Sequence, residues 1–165
     1  MVSKVETNPP DVDLDALLAL LRGAFAYMDT RIDPPSSLTR LDRDALRTKL
    51  EQEDLFVIGH AGLPIACLFG ASQGTVYYVG KLAVDAAHRN AGLARMLIEQ
   101  AAQHARAGGH QALELQSRVE LVENHAAFAR MGFVKVAETA HPGYSRPTSF
   151  TFRRPLPSNA AARGL

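Results

Sequence analysis

The stretch Val84-Asp85-Ala86-Ala87-His88-Arg89-Asn90-Ala91-Gly92-Leu93-Ala94-Arg95 decides how this chain is read. Ahead of it, residues 75–84 (Thr-Val-Tyr-Tyr-Val-Gly-Lys-Leu-Ala-Val) are apolar, β-branched and aromatic, the composition of a buried strand. Behind it, Leu93, Met96, Leu97, Ala101 and Ala105 recur at helical spacing as far as Gly108-Gly109. Asn90 and Gly92 mark a short turn between strand and helix. Such a junction presents unpaired backbone N–H groups at the positive end of the helix dipole, a geometry suited to a phosphate or pyrophosphate. A side chain at position 92 would hold an anion away from the backbone, and glycine has none.

The remaining elements follow from the same kind of pattern. A short strand is expected around residues 2–7, then Pro9-Pro10, with Asp11 or Asp13 capping a helix. Leu14, Leu17, Leu18, Leu21, Phe25 and Met28 lie on one face of that helix. Asp33-Pro34-Pro35-Ser36-Ser37 falls in a loop, and a second helix is expected over residues 42–52 with Leu46 and Leu50 inward. Residues 55–60 and 63–70 form a hairpin about Gly62. After the long helix come a strand at 111–117, a helix at 122–131 ending at Gly132, and strands at 133–138 and 148–153. This order predicts an α/β fold in one domain, residues 1–154, with a flexible tail at 155–165. Its sheet is mixed and mostly antiparallel, with helices on both faces.

Composition narrows the function. The 165 residues are 47% hydrophobic and 21% charged, with a formal net charge of +1. No global field favours nucleic acid or an acidic membrane, and neither partner is expected. The most apolar run, residues 63–71, is far short of the ~20 residues that span a bilayer. The N-terminus has no apolar signal segment, so a cytoplasmic protein is expected. Cys67 is the single cysteine, which excludes an internal disulfide, and it reads as a small core residue. No Cys/His cluster has zinc spacing, and no metal is expected.

The spacing Arg89-x-x-Gly92-x-Ala94 resembles the acyl-CoA pyrophosphate loop of the GNAT acetyltransferase superfamily, Q/R-x-x-G-x-G/A. The flanking Leu82-Ala83-Val84-Asp85 and Leu93-Ala94-Arg95-Met96-Leu97 also look like that family. Residues 118–133 (Arg-Val-Glu-Leu-Val-Glu-Asn-His-Ala-Ala-Phe-Ala-Arg-Met-Gly-Phe) resemble its second motif, in which an Asn or Ala precedes a Tyr and a helix ends at Gly-Phe.

The resemblance implies transfer of an acetyl group from acetyl-CoA, as cosubstrate, to an amine, and a homodimer is common in such families. It places the pyrophosphate on the amides of Asn90, Ala91, Gly92, Leu93 and Ala94, with Arg89 and Arg95 supplying charge. Pantetheine would pair with the backbone around Leu82, Ala83 and Val84, where an N–H could hold the thioester oxygen. Asn124 is the polar candidate beside pantetheine or the acetyl group. At the usual Tyr position stands Phe128, which has no proton to give. CoA then leaves as a thiolate, or Tyr144 supplies the proton, or only binding remains. Glu114, between Leu113 and Leu115, is the candidate base. His141, Tyr144 and Arg146, on the loop before the last strand, are placed to shape acceptor binding. Two rivals stand beside the enzyme: an acyl-CoA-binding or sensing protein without turnover, and a nucleotide-binding module, which lacks a Gly-x-x-x-x-Gly-Lys run.

Overall fold

Aspartates start the first two helices. Asp13 Oδ1 accepts the Ala16 N–H (3.0 Å), opening α1 (Leu14–Ala26), and Asp42 Oδ1 accepts the Ala45 N–H (2.8 Å), opening α2 (Arg43–Gln52). In the computed structural model, residues 4–26 and 28–158 are described. The strands are β1 (Glu6–Thr7), β2 (Asp54–His60), β3 (Leu63–Gln73), β4 (Val76–Val84), β5 (Ala112–Arg118), β6 (Val134–Thr139) and β7 (Ser149–Pro155). Two more helices, α3 (Leu93–Ala107) and α4 (Val122–Arg130), complete the set with short 3-10 turns at Ser37–Arg40 and Ala86–His88.

Backbone hydrogen bonds order the strands β1-β2-β3-β4-β5-β7-β6. The pairs β1·β2, β2·β3, β5·β7 and β6·β7 are antiparallel, while β4 and β5 run parallel over Val76–Tyr78 and Ala112–Glu114. The mixed, mostly antiparallel sheet flanked by helices is the one expected. Among the described residues, no helix is long and apolar enough to cross a membrane.

The chain divides into two compact units. The first comprises Met1–Met28, Ser37–Ala71 and Val79–Ala101. Its core packs Leu17, Leu18, Leu20 and Leu21 of α1 with Leu46, Leu55, Val57, Cys67, Phe69 and Ala83. Burying each large apolar side chain contributes about 1.5–3 kcal/mol, which is what holds α1 and α2 in place. The second comprises Asp29–Ser36, Ser72–Tyr78 and Ala102–Leu165. Here Phe128 meets Phe133 edge-on and tilts against Phe152, each with ring centroids 6.0 Å apart. His125 stacks on Phe150 and Phe152 (5.2 and 5.4 Å), and its Nε2 pairs with the Arg118 carbonyl at 2.9 Å.

Three boundaries shift from expectation by two residues or more. The N-terminal strand is only Glu6–Thr7, and residues 1–3 lie outside the described residues. β3 runs on to Gln73, past the expected end at Gly70, and turns at Gly74, whose φ of 65° suits glycine. At the other end, β7 includes Pro155, and the Leu156 N–H donates to the Gln111 carbonyl (2.8 Å). The sheet therefore reaches into the stretch read as tail; residues 159–165 lie outside the described residues.

Candidate functional site

Strand β4 delivers the turn with one irregularity. Lys81, between the buried Val79 and Ala83, takes a left-handed φ of 54°. A left-handed residue inside a strand interrupts the ladder and re-aims the adjacent backbone groups. Its ammonium donates to Ser37 Oγ (3.0 Å) and its carbonyl accepts the Cys67 thiol (3.7 Å). Leu82, Ala83 and Val84 follow directly.

The Asp85 N–H then donates to the Ile65 carbonyl (2.7 Å), and Asp85 Oδ2 pairs with His88 Nδ1 (3.0 Å), which closes the 3-10 turn. Asn90 and Gly92 are left-handed, with φ of 64° and 77°. A Cβ built at Gly92 meets nothing within 4 Å, so the space over this glycine is open. The first internal bond of α3 runs from the Met96 N–H to the Gly92 carbonyl (3.1 Å). In an α-helix the N–H groups of the first turn have no intrahelical acceptor.

Charge at this helix start is unusual for the molecule. α1, α2 and α4 each carry an acid in the first turn (Asp15, Asp44, Glu123), the arrangement that suits the helix dipole. α3 has none and places Arg95 there. Arg89, Asn90, Ala91 and Gly92 are exposed, and Leu93 is buried as the first core residue of the helix. The turn thus joins an uncapped glycine, the positive dipole end of α3 and cationic side chains, which fits an anionic phosphate group.

The other expected site residues fall in the second unit. Glu114 lies opposite Arg153 in the β5·β7 register, and Arg153 Nη2 donates to its Oε1 at 2.7 Å. That cross-strand pair accounts for a charge in the middle of a strand. The Tyr144 hydroxyl donates to Asp33 Oδ1 (2.6 Å), and this bond, with burial as a lesser cause, raises the phenol pKa above its ordinary 10.0. Arg146 reaches Asp33 Oδ2 at 3.4 Å, while the His141 ring pairs with Thr148 Oγ1. Asn124 sits half-buried within α4 with its N–H on the Leu121 carbonyl (3.0 Å), and Phe128 is buried. Tyr77 is core, its ring between His104 and His110 at 5.7 and 5.3 Å.

Sequence reading passed over three residues. Asp33 is the hub for Tyr144 and Arg146, Glu120 accepts the Asp33 N–H, and Arg118 donates to the Pro35 carbonyl. The alternating charges of Arg118-Val119-Glu120 at a strand end were the available signal. Glu123 is held down to about 2 by its hydrogen bonds from Arg31.

Comparison with known proteins agrees with this geometry. The profile of the acetyltransferase (GNAT) family matches residues 15–133, and the chain belongs to that family. Among solved structures, the chain is similar to the ribosomal-protein-S18-alanine N-acetyltransferase of Escherichia coli (17% identity, 94% of each chain covered, TM-score 0.66). It is also similar to the PaiA N-acetyltransferase of Thermoplasma acidophilum in complex with coenzyme A (10% identity, 93% and 99% covered, TM-score 0.76). The IAA acetyltransferase of Bacillus cereus gives 17% identity over 94% of this chain and 100% of that one, with a TM-score of 0.65. At these identities the likeness is one of fold. No curated protein matches the sequence significantly.

Proposed function

We propose that this protein moves the acetyl group of acetyl-CoA directly onto an amine. The observation that carries the reading is the turn at Arg89–Arg95: a strand that turns into the N-terminus of α3, a side-chain-free Gly92 with open space over it, and a helix start bearing Arg95 where the other helices bear an acid. The pyrophosphate rests on the amides of that turn, and the backbone of Leu82–Val84 pairs with pantetheine. An N–H beside the Lys81 irregularity takes up the charge that grows on the thioester oxygen.

The amine attacks as the neutral base. Its nitrogen bonds the acetyl carbon, the carbon–sulfur bond breaks, and the amine's extra proton passes to a carboxylate, with Glu114 as candidate, and on to solvent. CoA departs as a thiolate, a fair leaving group with a thiol pKa near ~8.5. This route is preferred to protonation by Tyr144, whose hydroxyl is already directed at Asp33.

A relay through cysteine has no support. Cys67 is fully buried, and burial pushes its thiol up to about 12 despite a backbone hydrogen bond from Ala83. Cys67→Ala should keep its transfer rate within about threefold of the wild type, because no thiolate takes part. Loss of the rate in a folded Cys67→Ala protein would reinstate a covalent step.

The decisive measurement is thermal unfolding with acetyl-CoA, CoA and ATP in parallel, together with thiol release from an amine panel. Acetyl-CoA at a hundred times its dissociation constant should add about 2.7 kcal/mol of stability, and ATP at the same concentration far less. Stabilisation without thiol release from any amine would favour the acyl-CoA-binding reading, which the Phe128 position supports. No stabilisation by either CoA ligand would end both.

A further inference from the structure

Where α3 ends, a histidine closes the helix. The Ala105 carbonyl accepts the His110 N–H (3.0 Å) and stands 3.0 Å from Nδ1 of the same residue's ring. A carbonyl only accepts, so Nδ1 carries the proton and the other ring nitrogen, Nε2, keeps its lone pair. Nε2 lies 2.9 Å from Oγ of Ser72, near the end of β3, and the Ser72 hydroxyl therefore donates to it. A carbonyl, an imidazole and a serine hydroxyl are thus joined in series. In that order a base is oriented on one side and activates a nucleophile on the other.

The surroundings hold this series in place. The Gln111 N–H, next in sequence to His110, donates to the Thr75 carbonyl (2.7 Å), which ties the turn between β3 and β4 to the loop carrying the histidine. The Gln111 carbonyl in turn accepts the Leu156 N–H (2.8 Å). The Tyr77 ring meets the imidazole edge-on, with centroids 5.3 Å apart. A Cβ at Gly108 would lie 3.2 Å from Nδ1 and Cε1 of the imidazole, so a glycine there leaves the ring its seat. All of these residues belong to the second unit. Ala105 is buried, His110 is half-buried and Ser72 is exposed, so the hydroxyl meets solutes while its base is sheltered. Closing the helix needs only the N–H and Nδ1 of His110, and acetyl transfer as proposed above uses neither His110 nor Ser72.

We infer that Ser72 is a second reactive centre of this protein, a nucleophile activated by His110 that accepts the acyl group of small activated esters. Oγ bonds the acyl carbon, the bond from that carbon to the leaving oxygen breaks, and the leaving group departs with the electron pair. The Oγ proton passes to Nε2 and on to solvent. While the ring is charged, the Ala105 carbonyl and the negative end of α3 face it. The product is an O-acyl serine. A positioned base is worth about 10²–10⁴ in rate, enough for an ester with a good leaving group and far too little for an amide. The inference does not depend on acetyl-CoA binding.

The test incubates the full chain with p-nitrophenyl acetate, follows p-nitrophenolate release and locates the acetyl group by peptide mass mapping. An initial burst of about one phenolate per chain is expected, with the acetyl group on Ser72. Ser72 should be acetylated at least about 100-fold faster than Ser145, a serine that is also exposed. Ser72→Ala removes an exposed hydroxyl and should abolish the burst in a folded protein. His110→Gln should slow the labelling of Ser72 by at least about 100-fold. No acetyl group on Ser72, a Ser72 rate within about tenfold of Ser145, or undiminished labelling in a folded His110→Gln protein overturns the inference. The Ser72-to-Ser145 ratio is read on the wild type, so it decides the matter even where His110→Gln does not fold.

Discussion

Gly92→Glu should lower the affinity for acetyl-CoA and CoA by at least about 100-fold while leaving a folded protein. A carboxylate about 4 Å from a pyrophosphate charge opposes it by about 4 kcal/mol at the effective dielectric of a protein surface, and salt screening trims that to the stated factor. Folding has a separate and smaller cost. Gly92 sits at φ 77°, where an L side chain is strained by about 1–2 kcal/mol, but nothing lies within 4 Å for a Cβ to strike. For a domain of this size that is a fall in Tm of about 2–8 °C. Gly92→Asn separates the two terms, since asparagine tolerates the left-handed region and carries no charge. It should bind CoA more weakly than the wild type, because its side chain still holds the anion off the backbone, but more tightly than Gly92→Glu. Calorimetric titration of both variants with CoA gives the comparison, and a Gly92→Glu protein that binds CoA as the wild type does would move the pyrophosphate elsewhere.

Why this turn is legible in the sequence, and the acceptor side is not, has a physical reason. The turn is made by consecutive residues: a β-branched strand, a left-handed Asn90 and Gly92, then an amphipathic helix, each specified by local backbone preference. The buried faces of α1 and α3 and the hairpin of β2 with β3 are legible for the same reason, being periodic over neighbouring residues. The Asp33 cluster joins residues 33, 118, 120, 144 and 146, which are remote in sequence. No periodicity announces such a meeting. Glu114 shows the same limit: its charge stands out in the strand pattern, yet its partner Arg153 is known only from the β5·β7 register. Arg95 is an intermediate case. Its place in the first turn is visible in the sequence, but its meaning emerges only beside Asp15, Asp44 and Glu123 in the other helices.

Phe128→Ala should destabilise the protein by about 3–5 kcal/mol, while Phe128→Tyr should cost less than about 1.5 kcal/mol. The ring is buried between Phe133 and Phe152, both at 6.0 Å, so truncation opens a cavity that an aromatic wall on each side prevents from collapsing. A fall in Tm of about 6–20 °C follows for the alanine variant, which thermal denaturation reads directly. The tyrosine variant keeps the ring and adds one hydroxyl at its far end. Its effect on rate discriminates between the routes for the leaving sulfur. If CoA departs unaided as a thiolate, sulfur protonation limits nothing, and Phe128→Tyr should change kcat by less than about threefold, with an unaltered pH profile. A gain of about tenfold or more, with a new alkaline limb in the profile, would show that the native chain lacks a proton donor its chemistry can use.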